Sequence, residues 1–449
     1  MSISRTFLAI TALAVLLRFG VAVYLGDTTP PAKDETSYSV LAARLATGHG
    51  YSFPVGWYPF AEADTPTSHW SFLYTAFVAS VFSTIGAHPL GVRLFQALLC
   101  GLLLPWLTYR LTQRLFPAHG SGEVLPLLAA LLAAVYAYFV LYGAMVQTEG
   151  LFICVVLWSL THALTLDGQL AANMPLRKVG WNALVLGLSL GLATLLRQSI
   201  LPWLPLLCGW VLLTGWRVRR LRMAVGAAAI ITAVVVLCIA PFTLRNLQVY
   251  GEFLLLNSNT GYAMYSAQHP LHGTDFQAYA AAPLPVDLLD KGLNEAQWDR
   301  ALMQRGLGFV LAEPGRYLLL SWSRVSDYFE VLPNADSSLL FNTGQLLSFT
   351  LFLPFMLIGS FVAFRKDRFI TRRRWLLLPD PVALALFFVV FYSVLHIFTW
   401  AMPRYRLPVD AVLLPFAALG ILTVWQFMRR IVRRDGTQDT TLPGAETSS

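Results

Sequence analysis

The sequence predicts an all-α integral membrane protein of about 10 transmembrane helices, with further juxtamembrane helices on its outer face. Three observations carry that expectation. Of the 449 residues, 56% are hydrophobic and 12% are charged, and the mean hydropathy is +0.60. Many runs reach the roughly 20 apolar residues that a bilayer core asks of a helix. The basic residues gather at the ends of those runs, so the net charge of +8 reports membrane topology and not nucleic-acid binding.

The first span is Thr6 to Gly26. Only Arg5 precedes it and no small-residue cleavage site follows, so it reads as a retained span with a cytoplasmic N-terminus. Further spans are expected near 92–114, 124–143, 148–166, 179–196, 199–216, 223–243, 345–364, 381–400 and 408–428. Gly187 and Gly191 in one of them form a small-xxx-small pair suited to helix packing. The clusters Arg217-Arg219-Arg220-Arg222, Arg365-Lys366-Arg368-Arg372-Arg373-Arg374 and Arg429-Arg430-Arg433-Arg434, with Arg110, Arg114, Arg177 and Lys178, all fall on the cytoplasmic side when ten spans are threaded. With Arg5 they hold 19 of the 32 Lys and Arg. Counting His69 to Gly86 as an eleventh span would invert everything downstream. That segment is therefore expected to be an interfacial or re-entrant helix on the outer face.

Four units follow from this threading: a membrane module, 1–243, carrying a first outer loop, 27–91; a long outer-face loop, 244–343; C-terminal spans, 344–430; and a polar cytoplasmic tail, 431–449, expected to be disordered. A loop as long as 244–343 is more than a connector. Its part from Asn294 to Val331 has helical spacing interrupted at Glu313-Pro314-Gly315, which predicts two helices on the membrane surface. Cys100, Cys154, Cys208 and Cys238 sit inside apolar runs and act as small hydrophobes, without a disulfide framework.

The threading brings the unusual polar groups to one face. Residues 34–48 follow the first span and form a polar helical run with Tyr38, Leu41, Ala42 and Leu45 on one stripe. Asp34 and Glu35 open it, and Glu149 opens another span; a plain reading makes each a partner of a helix N-terminus. The functional reading sets the carboxylates across a pocket, where they orient an acceptor hydroxyl or amine and one takes its proton. Arg197, Arg245-Asn246 and Arg404-Tyr405-Arg406 emerge on the same face. Arginines on the side that the positive-inside rule disfavours suit a lipid phosphate, whose oxygens the guanidinium fork binds. Arg18, within the first span, is expected to snorkel outward. Tyr38, His69 and Asn246 complete the expected substrate pocket. His49, His69, His269 and His272 have no HxxxH or HExxH spacing, so no metal site is expected. A DxD motif, a P-loop and a Gly-rich fingerprint are all missing, which disfavours nucleotide-sugar and ATP chemistry.

In order along the chain, Asp34-Glu35 with Tyr38 and Ala42, Arg93-Leu94 with Ala97-Leu98, Thr148-Glu149, Gly191-Leu192-Ala193 with Arg197, Pro241-Phe242 with Arg245-Asn246, and Arg404-Tyr405-Arg406-Leu407-Pro408 form a pattern. It resembles that of the C-type membrane glycosyltransferases, in particular the group with protein O-mannosyltransferases and aminoarabinose transferases. The resemblance implies a GT-C-like fold and inverting transfer of a sugar from a polyprenyl-phosphate carrier to a glycan, lipid or protein acceptor on the outer face. It implies that Asp34 is the base or orients the acceptor, that Glu149 joins it, and that Arg245 with Arg404 or Arg406 holds the carrier phosphate. Such enzymes with this carrier generally need no metal cofactor, and the setting implied is the bacterial plasma membrane, with the site on its extracytoplasmic face. The chain departs from the pattern in having no large soluble C-terminal domain and no basic residue at position 37, where aminoarabinose transferases carry one. A transporter or flippase of a lipid-linked or polar solute, or a polysaccharide polymerase or ligase, is the alternative reading.

Overall fold

The computed structural model describes residues 4–30, 33–117, 122–277, 280–332, 338–370 and 380–438, with side chains undescribed at 366–370 and 433–438. Among these residues the secondary structure is helical, apart from three isolated bridges that fold the 52–66 loop on itself. The first half contains α1 (Arg5–Leu25), α2 (Asp34–Ala46), α3 (Phe72–Ile85), α4 (Pro89–Leu115), α5 (Val124–Val135), α6 (Ala137–Tyr142), α7 (Glu149–Ala171), α8 (Leu176–Leu196), α9 (Trp203–Arg217) and α10 (Leu221–Tyr250). The long loop 244–343 contributes α11 (Thr260–Gln268), α12 (Val286–Leu289), α13 (Glu295–Ala312) and α14 (Pro314–Tyr328), followed by α15 (Leu339–Gln345), α16 (Leu351–Ile370), α17 (Pro381–Phe398) and α18 (Leu407–Gln438).

Nine of the described helical segments are long and apolar enough to cross a membrane. α3 has 14 residues, short of a crossing, in line with its expected role as a non-spanning segment. The long loop holds two helices at the expected places, α13 and α14, and the chain turns between them at Glu313, ahead of Pro314. Two of the expected segments need correction. The tail is helical at its start, because α18 runs on to Gln438; residues 439–449 lie outside the described part, as do Arg372, Arg373 and Arg374. The run 124–143 is not one continuous span but two helices, α5 and α6, broken at Tyr136.

No Pro or Gly causes that break. Tertiary partners take the backbone groups that a continuous helix would pair internally. The Arg18 guanidinium, expected to snorkel, is instead fully buried and donates to the carbonyls of Ala134 and Ala133, each at 3.2 Å, and of Ala14 at 2.9 Å. The Tyr138 N–H turns away to Ser348 Oγ at 2.8 Å, and the Tyr136 hydroxyl donates to Asp410 at 2.7 Å. In an apolar setting each unpaired carbonyl is costly. Arg18→Met should therefore destabilise the protein by about 1–3 kcal/mol, read as a lower unfolding midpoint in detergent. An unchanged midpoint would mean that the break does not depend on Arg18.

α4 packs against α1, α5 and α7, while α8 packs against α7 and α10, and α16 against α18. The α8–α10 contact uses the glycine pair: a Cβ on Gly187 would meet the Ile231 carbonyl oxygen at 2.9 Å, and one on Gly191 would meet Cys238 Sγ at 2.6 Å. This packing sets the N-terminus of α7, the C-terminus of α8, the start of α18 and α2 at one end of the bundle.

Candidate active site

α2 begins where Lys33, in an extended conformation, turns into the helix; Lys33 occupies the cap position and makes no side-chain cap bond. Asp34 is thus the first helical residue, and its side chain is not spent on capping its own helix. It accepts a 2.5 Å hydrogen bond from Arg404 Nη1, a residue 370 positions away. Arg404 lies in the short 3-10 turn Pro403–Arg406, which leads directly into α18. The same Nη1 is 3.8 Å from Glu149 Oε1, and Arg197 Nη1 binds that oxygen at 2.9 Å. Glu149 is the first residue of α7, and Arg197 ends α8 in an extended conformation that turns its side chain towards Glu149.

Tyr405 joins the two arginines. Its ring centroid lies 4.7 Å from the Arg197 guanidinium and 5.2 Å from that of Arg404, and the ring stacks on His396 at 4.9 Å. Glu149 is 4% exposed, whereas Asp34 and Arg404 keep 26% and 22%. The Asp34–Arg404 pair therefore forms the open edge of the cluster and Glu149 its floor. Arg404 Nε is buried and has no hydrogen-bond partner among the described residues. Burial acts to raise the Asp34 carboxyl, but Arg404 outweighs it, with help from Arg197 and His69, and the group titrates below its ordinary 3.8. Asp34 is ionised at neutral pH.

Glu35, its neighbour, faces the other way. It is buried, pairs with Arg93 Nη1 at 2.9 Å and accepts from the Val146 N–H at 3.0 Å. Burial raises the Glu35 carboxyl in spite of Arg93. Its place is beneath the site, where it ties α2 to α4 and to the turn ahead of α7. Gln96 fastens that turn as well, donating to the carbonyls of Met145 at 2.7 Å and Tyr142 at 3.2 Å. Tyr38 sits one turn after Asp34, its ring edge-on to Trp70 at 5.5 Å and Tyr74 at 4.8 Å. His69 packs between Phe60, Trp70 and Tyr262, close enough for the Asp34 charge to act on it. Burial lowers its imidazole to about 4, so it is neutral at neutral pH.

Three expected site residues lie elsewhere. Arg245 Nη1 donates to the Thr67 carbonyl at 2.9 Å and to Ser68 Oγ at 2.6 Å, and Asn246 Nδ2 donates to the carbonyls of Leu254 and Leu256. They belong to a clasp around Glu295, whose Oε2 accepts from the Ser68 N–H at 2.7 Å and the Ser258 hydroxyl at 2.8 Å. The clasp fastens the long outer loop to the first one. Arg406 is fully buried, binding Asp410 at 3.0 Å and the Tyr328 carbonyl at 2.6 Å, with its guanidinium 3.5 Å from the Phe349 ring centroid. It holds the surface helix α14 to α18 and has no opening to a ligand. Asp410 was not singled out from the sequence, although its spacing of four from Arg406, across the start of α18, was a usable signal. Glu295 and Gln96 had no such local signal.

Among the described residues, no three His, Cys, Asp or Glu side chains converge as metal ligands.

No protein-family profile matches the sequence, and no curated protein is significantly similar to it. Solved structures are similar in fold. The archaeal oligosaccharyltransferase AglB from Archaeoglobus fulgidus, in complex with an inhibitory peptide and a dolichol-phosphate, superimposes with a TM-score of 0.58 at 14% identity, covering 99% of this chain and 52% of that one. The apo oligosaccharyltransferase from A. fulgidus gives 0.57 at 16% identity, covering 98% and 52%. ArnT from Cupriavidus metallidurans bound to undecaprenyl phosphate gives 0.42 at 14% identity, covering 92% and 77%. The chain spans about half the length of the oligosaccharyltransferase chains that it matches. The oligosaccharyltransferase chains share this chain's fold.

Proposed function

We propose that this protein, built on the C-type glycosyltransferase fold, moves a sugar from a polyprenyl-phosphate carrier to a hydroxyl or amine acceptor at the membrane surface, with inversion. The observation that carries the reading is the Asp34–Arg404–Glu149–Arg197 cluster: an ionised proton acceptor and two guanidiniums in one contact network at the end of an apolar bundle. The dolichol-phosphate in the AglB complex of the same fold supports a polyprenyl-phosphate carrier.

The acceptor oxygen or nitrogen attacks the anomeric carbon and its proton passes to Asp34. The bond from that carbon to the phosphate oxygen breaks, and its electron pair stays on the phosphate, where Arg404 and Arg197 stabilise the charge. Glu149 orients Arg197 and fixes its distance from Arg404. The reading assigns no metal, because Arg404 and Arg197 already neutralise the two carboxylates that would supply ligands. The site opens on the outer face of what we take to be a bacterial plasma membrane, and the prenyl tail lies between spans.

Inversion imposes a geometric condition. Nucleophile and leaving oxygen stand on opposite sides of the anomeric carbon, the nucleophile about 3–3.5 Å from it in a reactive pose. The base and the phosphate ligand cannot then stay in the direct contact that Asp34 and Arg404 make in the empty site. Donor binding must part them, with Arg404 exchanging the Asp34 carboxylate for phosphate. That exchange removes the main influence lowering Asp34 and makes it a stronger base once the donor is in place.

A pH prediction follows with a definite sign. A depressed carboxylate holds its ion pair above its unfolded value and loses it as pH falls through the folded one, so the Asp34–Arg404 pair persists from neutral pH to below 3.8. His69 is neutral above about 4. The kcat/KM profile, which reports the free enzyme, should show no histidine step between pH 6 and 8, and the acid limb of kcat should lie at higher pH than that of kcat/KM. A step near 6.5 in kcat/KM that His69→Gln removes would transfer the base role to His69. The reading itself is tested by supplying the purified protein with polyprenyl-phosphate sugars and following sugar transfer.

A further inference from the structure

We propose that the hairpin joining α9 to α10 binds the phosphate headgroup of an anionic lipid, at the end of the bundle opposite Asp34. α9 starts shortly after Arg197 and its 15 residues carry the chain about 22 Å away from the carboxylate cluster. Three residues then reverse the direction, with Arg219 in the left-handed region at φ 57°. The turn is braced: the Arg220 N–H donates to the Gly215 carbonyl at 2.6 Å and Arg220 Nη1 donates to the Met174 carbonyl at 2.9 Å.

An open depression of about 870 Å³ lies at this turn, with Arg217, Arg219, Arg220, Arg222, Trp216 and Leu221 in its lining. The volume is that of a small-molecule site. At the other end of the bundle Arg404, Arg197 and Arg93 each have a carboxylate partner. Among the described residues none of the four hairpin arginines does, and all four line the same depression. Guanidiniums without a carboxylate partner suit a phosphate monoester or diester, which binds them through forked hydrogen bonds. Trp216, 67% exposed, and Leu221, 45% exposed, supply the apolar edge. A free phosphate ion has no use for that edge, whereas the glycerol and upper acyl chain of a lipid do, at the level where Trp favours the membrane interface. The inference uses no residue of the transfer reading and stands or falls apart from it.

The test uses the full chain in detergent, titrated with phosphatidylglycerol, phosphatidylcholine or inorganic phosphate, with lipid retention read by native mass spectrometry and stabilisation by the unfolding midpoint. Phosphatidylglycerol should bind and raise the midpoint, and Arg219→Gln with Arg222→Gln should weaken that binding at least tenfold. Arg429→Gln with Arg430→Gln, which removes equal charge from the exposed end of α18, should change it less than threefold. Arg219→Lys with Arg222→Lys should retain most of the binding. An equal loss in the α18 pair would reduce the effect to diffuse surface charge and overturn the proposal. Equal binding of phosphatidylcholine, or stabilisation by inorganic phosphate alone equal to that by the lipid, would overturn it too. So would a lysine pair as defective as the glutamine pair, which would place the fault in the folding of the hairpin.

Discussion

Asp34→Asn should lower the rate of sugar transfer by about 10²–10⁴-fold, the range that a positioned general base contributes. The substitution keeps the shape and one hydrogen-bond acceptor, so Arg404 retains a partner, but an amide takes no proton from the acceptor. Asp34 is the first helical residue and does not cap α2, so the helix loses little; the cap position belongs to Lys33. Protein yield and unfolding midpoint should stay near those of the intact chain. A variant that is lost from the membrane would return Asp34 to a structural role. Glu35→Gln provides the contrast: Glu35 is buried against Arg93 and the Val146 N–H, so its loss should be read first in stability and only then in rate.

Arg404→Ala should lower kcat/KM by on the order of 10²–10³-fold, through lost stabilisation of the departing phosphate. Two effects oppose each other here. The variant frees Asp34 from the guanidinium that lowers it, which makes the carboxylate a better base. It also removes one of only two cations in the cluster that can meet the phosphate, since Arg406 and Arg245 are engaged elsewhere. The second effect dominates because phosphate departure needs charge stabilisation in the transition state whatever the strength of the base. The acid limb of kcat/KM should nevertheless move to higher pH in Arg404→Ala, a signature that a purely structural role for Arg404 would not produce. Arg404→Lys keeps the charge without the fork and should fall between the two.

Much of this architecture was legible in the sequence, for physical reasons. Apolar length and helical spacing are local properties, and they located most of the apolar helices, the end of the bundle that gathers the polar groups and the two loop helices parted at Glu313. The gathering of Asp34, Glu149, Arg197 and Arg404 was legible because charges at the ends of apolar helices have few places to go once the topology is threaded. Arg18 and Tyr136 were not: nothing in the 124–143 run announces a break, and its cause is an arginine more than a hundred residues earlier. Arg245 and Arg406 were read as phosphate ligands because their places at the ends of apolar runs were visible while their partners were not. Those partners, Ser68 and Asp410 among them, become apparent only when loops and helices are packed together.

The most direct test of the central claim is a transfer assay in nanodiscs, with polyprenyl-phosphate sugars as donors, comparing the intact chain with Asp34→Asn and Arg404→Ala. The account predicts transfer by the intact chain, near-complete loss in the Asp34 variant with the carrier still bound, and loss of carrier affinity together with rate in the Arg404 variant. Absence of transfer across a broad set of donors and acceptors, with carrier binding intact and indifferent to both substitutions, would contradict it and point to movement of a lipid-linked solute instead.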